Sequence, residues 1–340
     1  MTKVRILSID GGGTKGVIPA YFLKKLEYIT EKPISELFDY IIGTSIGGIM
    51  AIGYAIPDKD ANPAYNSQDM YNLIEDKIDD VMPKDWWSLF KNTGGFFYSK
   101  YDRDGLDKLL EELSLNKTLL ETTIPISVLT YSIKTFEPKA WSTFKACQTP
   151  TEENAYLSDI AGATSAAPTY FDPKEIRGTN GDLHIDGGVY AKNPTLVGIT
   201  EFLLYNPQIT KEDLIIVSIG TGNLEHEVSS HNHYGLYEWL LGDHDLISLF
   251  LYSSTVSTTK ECKKVFKNFY RIQPDIPEEL YVEVDGTSDE FFKNMKKISK
   301  NYYFDNKDLF YELKQILDID PSEKFHFNCS NYQGTDLFDI

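Results

Sequence analysis

Three short stretches carry residue types that could do chemistry together. The first is Asp10-Gly11-Gly12-Gly13-Thr14-Lys15-Gly16, which follows the apolar run VRILSI at positions 4–9. Glycines let a backbone turn sharply and approach a ligand closely. The N–H groups of such a turn, ahead of a helix, can face an anion, either a bound phosphate or a transient oxyanion. The second is Gly43-Thr44-Ser45-Ile46-Gly47, a G-x-S-x-G set between a strand pattern and a helix pattern. A serine on a sharp strand-to-helix turn projects its hydroxyl, and crowding in the turn demands small neighbours. The third is Asp186-Gly187-Gly188, at the end of LHID. Two glycines there let the carboxylate come close to another loop. Each stretch alone has a plain reading: a glycine turn, a chance serine motif, an aspartate in a turn. Together they supply a nucleophile, an acid and a row of backbone donors, the parts that acyl transfer requires.

The elements that must position these residues follow from periodicity. Val4 to Ile9 reads as a buried strand running into the first glycine turn. Ile18, Phe22, Leu26 and Ile29 fall on one face of a following helix, and Pro19 is tolerated in its first turn. Phe38 to Ile42 predicts a second buried strand, and Ile46 to Ala55 a buried helix of small residues. Further strands are expected at Ile124 to Tyr131, Leu183 to Asp186 and Leu214 to Ile219. Helices are expected at Gln68 to Asp80, Arg103 to Ser114, Thr195 to Tyr205, Asp245 to Thr258 and Glu290 to Leu317. Strand, turn, helix, repeated, is the pattern of a parallel sheet with crossover helices, and ligands in such sheets bind at the carboxyl ends of the strands.

The three stretches resemble the patatin-like phospholipases, a family of lipid acyl hydrolases. The residues that carry the resemblance are DGGGTKG at 10–16, GTSIG at 43–47 and DGG at 186–188. Softer matches are KYDRDGLDKLL at 100–110, AGATSAAPTYF at 161–171, Asn193-Pro194 and SIGTG at 218–222. The resemblance implies an α/β, three-layer fold with a mostly parallel central sheet and flanking helices. It covers residues 4 to about 222, so we expect a catalytic domain over 1–223 and a helical C-terminal extension, 224–340, packed on it.

The resemblance also implies roles. Ser45 would attack an ester carbonyl, Asp186 would take its proton directly, and the N–H groups of Gly11, Gly12 and Gly13 would hold the oxyanion. No cofactor, metal or catalytic histidine enters this scheme. Lys15 matches the family's basic position in the loop and is expected either to orient it or to meet a lipid phosphate, or else to be a solvated lysine. Trp86, Trp87, Phe96 and Phe97 form an aromatic, glycine-punctuated stretch that could contact lipid at the membrane boundary or cap the core. The expected partners are a phospholipid or other acyl lipid and, transiently, a membrane surface, with or without a protein activator.

Rival readings come from the same residues. A free aspartate with a pKa near 4 is a weak base for a serine hydroxyl, so His226, His231 or His233 could complete a Ser–Asp–His triad. His184, two residues before Asp186 on one strand, is expected in a structural or supporting role. DGGGTK after an N-terminal strand also resembles the phosphate loop of actin-like sugar kinases. A scaffold that binds lipid or protein without turnover is the third alternative.

Composition narrows the classes. With 33 Lys and Arg against 51 Asp and Glu, the net charge is −18 and there is no basic run. Nucleic-acid binding, which rests on cationic contacts to phosphates, is excluded on that ground, and attraction to anionic membranes is weakened. The three cysteines, 147, 262 and 329, are far apart and form no CxxC. This predicts a reducing compartment without a disulfide scaffold and no zinc site. No signal-peptide pattern stands at the N-terminus and no run is long enough to span a bilayer. The expected location is therefore cytoplasmic or peripheral to a membrane.

Overall fold

The computed structural model describes residues 2–76, 103–224, 246–277, 280, 288–320 and 323–333. Its centre is an eight-stranded sheet. Strands β1 (Val4–Ile9), β2 (Tyr40–Thr44), β3 (Ile126–Ser132) and β7 (Leu214–Ile219) form its parallel middle in the order β3-β2-β1-β7. Beyond β3 lie β4 (Glu137–Ser142), β6 (Leu183–Asp186) and β5 (Lys174–Glu175), all reached through antiparallel pairs.

Both faces of the parallel strands are buried, and alternate residues sort to opposite sides. Leu7 and Ile9 of β1, Ile41 of β2 and Ile215, Val217 and Ile219 of β7 belong to one core cluster. Val4, Ile6, Tyr40, Ile42, Leu214 and Ile216 belong to the other. A strand covered by helices on both sides needs apolar residues at nearly every position, which is why VRILSI and LIIVSI read as continuous apolar runs. The first face is covered by α1 (Val17–Thr30), α2 (Ile46–Ala55), α3 (Ser67–Asp76) and α4 (Asp104–Ser114), along with α5 (Leu157–Thr164). All ten residues of α2 are buried, so its small side chains are what allow it to lie against the sheet. The second face is covered by α6 (Thr195–Tyr205) and α7 (Leu246–Val265).

The expected division at residue 223 is not a break in the structure. After β8 (Asn223–Leu224) and α7, the strand β9 (Phe269–Ile272) pairs in parallel with β7 and becomes the edge of the central sheet. A short second sheet joins β8 to β10 (Asp275–Ile276). The C-terminal third therefore completes the sheet as well as adding helices. The helix expected over Glu290 to Leu317 is two, α8 (Asp289–Asp305) and α9 (Lys307–Leu317), meeting at Asn306. Both pack on α1 through rings: Phe22 lies 5.4 Å from Tyr302 and 5.7 Å from Phe310.

A buried ion pair ties this C-terminal layer to the start of the sheet. The Arg5 guanidinium donates to both carboxylate oxygens of Asp39, at 3.0 and 2.7 Å, and to the Leu317 carbonyl at 3.0 Å. The cysteine reading is corrected. Cys147 and Cys329, 182 residues apart, form a disulfide. Beside the bond, Phe144, on the helix carrying Cys147, packs its ring 5.3 Å from Tyr332. Disulfides persist in oxidising surroundings, so the reducing compartment expected from sparse cysteines loses its basis. Among the described residues, no helix is long and apolar enough to cross a membrane.

Candidate active site

Ser45 sits between β2 and α2 with φ 57° and ψ −129°. A non-glycine residue there is strained, and its neighbours show what the turn requires. A methyl group on Gly43 would lie 2.1 Å from the Gly47 carbonyl oxygen, and one on Gly47 would lie 2.3 Å from that of Ile9. The turn is held from below by Thr164, whose hydroxyl donates to the Leu129 carbonyl at 2.6 Å and accepts the Ser45 N–H at 2.9 Å. From β2 through α2 every residue except Ser45 is buried. Ser45 itself is partly exposed and lies at the N-terminus of a ten-residue helix, where the helix dipole favours negative charge.

Asp186 reaches Ser45 by an unexpected route. β6 runs antiparallel to β3, with Thr130 opposite Asp186, while Thr44 of β2 stands opposite Leu129 of β3. The strand enters from beyond the carboxyl edge of the sheet and stops level with the serine turn. The tight approach depends on Gly187, where a methyl group would sit 2.5 Å from the Leu129 carbonyl oxygen. The Asp186 N–H donates to the Ala166 carbonyl at 3.0 Å. Its carboxylate accepts the Gly188 N–H at 2.7 Å and lies near enough to the Ser45 hydroxyl for that group to lower its pKa. Burial pushes this carboxyl up to about 6, outweighing the lowering by the Ser45 hydroxyl and the Gly188 N–H. A carboxylate poised there is a better proton acceptor near neutral pH than a free aspartate.

The glycine loop lies against the serine. A methyl group on Gly11 would approach the Ser45 Cβ to 3.1 Å. The three glycines are not equivalent. Gly11 is buried and its N–H is already committed to the Lys192 carbonyl at 2.9 Å, whereas Gly12 and Gly13 are partly exposed. The last two open the turn Gly13–Gly16, whose first N–H groups have no acceptor within the turn itself. The Gly11 amide thus holds the loop in place, while the Gly12 and Gly13 amides meet no backbone acceptor among the described residues. Gly13 takes φ +57°. Gly12 has no room for a side chain, since a methyl group would meet the Thr221 hydroxyl at 2.3 Å.

Lys15 is 6% exposed. It is therefore not a solvated lysine. Trp86, Trp87, Phe96 and Phe97 lie outside the described residues, as do His226, His231 and His233. His184 is buried, with Nδ1 3.0 Å from the Thr130 hydroxyl and Nε2 3.2 Å from Asp182. Its ring meets Trp141 edge-on, and burial lowers its pKa. These partners tie it to the β3–β6 pair and not to Ser45. Thr164, Ala166, Lys192 and Thr221 also shape the site. Two of them fall in the softer matches AGATSAAPTYF and one in SIGTG, and those matches were the signal that could have found them.

Among known proteins, the family model described as patatin-like phospholipase matches residues 7–199. Patatin-like protein 2 of Oryza sativa subsp. indica is 30% identical over 340 aligned positions, covering 87% of this chain and 83% of the relative. Patatin-like protein 1 of Arabidopsis thaliana is 29% identical, covering 87% of this chain and 80% of the relative. An Arabidopsis thaliana relative named "probable inactive patatin-like protein 9" is 30% identical over 65% of this chain and 61% of its own length. The family match spans more than half of the chain and the rice relative aligns over most of its length, so the chain belongs to the patatin-like phospholipase family.

Proposed function

We propose that this protein hydrolyses fatty acyl esters of phospholipids, a phospholipase A type of reaction, through an acyl-enzyme on Ser45. The observation that carries the reading is the pairing of a strained, partly exposed serine with a buried aspartate raised to about 6. Asp186 accepts the Ser45 proton as Oγ attacks the carbonyl carbon. The carbonyl π pair moves onto oxygen, and the resulting oxyanion is held by the N–H groups of Gly12 and Gly13, assisted by the dipole of α2. The tetrahedral species collapses, breaking the bond to the glycerol oxygen, which leaves with the proton held by Asp186. Water then attacks the acyl-enzyme, gives a proton to Asp186, and the fatty acid departs as Ser45 is regenerated.

The family is one of lipid acyl hydrolases, which removes the sugar-kinase reading of DGGGTK. The loop faces a serine, and that reading left both the serine motif and DGG without a role. The triad reading rested on His226, His231 and His233, which lie outside the described residues, while His184 takes a supporting place between Thr130 and Asp182. A silent binding scaffold remains the second reading, because one relative carries a name that marks it inactive. Fatty acid release from mixed phospholipid vesicles by wild type, Ser45→Ala and Asp186→Asn separates the two. Activity in wild type alone supports the hydrolase. Silence in all three, with no reaction of Ser45 toward a fluorophosphonate, supports the scaffold.

A further inference from the structure

We propose that Arg271, on the C-terminal strand β9, is a positioning residue for the oxyanion loop; this rests on the acyl-transfer reading above. Asp10, the first residue of DGGGTKG, is 1% exposed. Its two carboxylate oxygens are gripped by the Arg271 guanidinium, Nη1 to Oδ1 at 2.9 Å and Nη2 to Oδ2 at 2.5 Å. The same guanidinium donates to the Ser218 hydroxyl at 2.7 Å and to the Gln273 side-chain oxygen at 3.0 Å. A planar fork held at four points fixes orientation as well as charge, which an ammonium cannot reproduce.

The space for this fork is built in. A methyl group on Gly220 would lie 2.5 Å from Arg271 Nη2 and 1.4 Å from the Gln273 oxygen. From Asp10 the restraint passes directly into the loop. The Asp10 N–H is bonded to the Ile219 carbonyl at 3.0 Å and the Gly11 N–H to the Lys192 carbonyl at 2.9 Å. The Gly11 carbonyl accepts the Thr221 hydroxyl at 2.9 Å. The Asp10 carboxylate and N–H and both backbone groups of Gly11 are thereby anchored, and the next two amides, of Gly12 and Gly13, meet no backbone acceptor among the described residues. A buried ion pair is a poor way to gain stability, because desolvation offsets most of the attraction. Its use here is geometric: it sets the direction of the donors. Arg271 lies beyond residues 7–199, so this assigns the C-terminal third a part in the chemistry.

The test is steady-state hydrolysis of a soluble short-chain ester by the full-length protein, with active enzyme counted by fluorophosphonate titration of Ser45. The variants are Arg271→Met, Arg271→Lys and Ser45→Ala. In Arg271→Met, kcat per titrated serine should fall by about 10–100-fold, the scale of a weakened oxyanion contact, with KM changed less than about threefold. Millimolar guanidinium should restore part of the loss, and Arg271→Lys should fall between wild type and Arg271→Met. An unchanged kcat per titrated serine overturns the proposal, even if less protein folds, because then Arg271 acts on stability alone. Should Arg271→Met fail to fold, Arg271→Lys decides: a wild-type kcat there overturns the proposal equally. A wild type that neither turns over nor reacts at Ser45 defeats the acyl-transfer reading and this inference with it.

Discussion

Asp186→Asn should stabilise the protein while abolishing its activity, and the gain should depend on pH in a calculable way. The carboxyl is buried and raised from an ordinary value near 4 to about 6. A carboxylate that ionises less readily when folded opposes folding once the pH passes its unfolded value. Between about pH 4 and 6 the folded state binds more protons than the unfolded state, so stability falls as pH rises. Two pKa steps at about 1.4 kcal/mol each give a cost of about 3 kcal/mol at pH 8 and less than about 1 kcal/mol at pH 4. Asparagine has nearly the same shape. Its oxygen can still accept the Gly188 N–H, and its amide can donate to Ser45. Urea unfolding of both proteins from pH 4 to 8 measures the difference. The variant should gain from under about 1 to about 3 kcal/mol across that range, with most of the change complete by pH 6.5. A difference that does not vary with pH, or a variant less stable at pH 8, refutes the reasoning that burial dominates at Asp186.

Three further outcomes are expected. The rate of Ser45 acylation should rise with pH through a midpoint near 6, because Asp186 accepts a proton only as the carboxylate; a stopped-flow ester assay reads it, and Asp186→Asn should lose that limb. Asp39→Ala leaves the Arg5 guanidinium buried and half-paired, and should cost about 3–5 kcal/mol in urea unfolding with little change in m-value. Thiol titration of unfolded, unreduced protein should find one cysteine, and three after reduction. Cys147→Ser should lower stability by about 2–5 kcal/mol, since the closed loop is long.

The site was legible in the sequence where its demands are local. Gly43 precedes Ser45 because a side chain there would strike the Gly47 carbonyl within the same turn, and Gly47 follows it because a side chain there would strike the Ile9 carbonyl of the neighbouring strand; the first requirement is written within five residues, and the second adds to the same short motif. The runs at Val4–Ile9 and Leu214–Ile219 were legible because a strand buried on both faces tolerates few polar residues. What escaped depends on partners distant in the chain. Nothing near Arg271 announces Asp10, 261 residues away. The Cys147–Cys329 bond joins residues 182 positions apart, beside the ring contact of Phe144 with Tyr332. The different fates of Gly11, Gly12 and Gly13 follow from a carbonyl on Lys192, and identical letters cannot distinguish them. The strand β9 is only four residues long and follows a 20-residue helix, so its place in the sheet comes from pairing with β7 and not from its own pattern.

The central claim is covalent, and the most direct measurement is the mass of the enzyme trapped during turnover. Wild type mixed with phospholipid vesicles, quenched in acid within milliseconds and digested, should yield the peptide containing Ser45 heavier by one fatty acyl group, and Ser45→Ala should yield none. Hydrolysis by wild type with no acylated Ser45 peptide, or with the acyl group on another residue, would contradict the account.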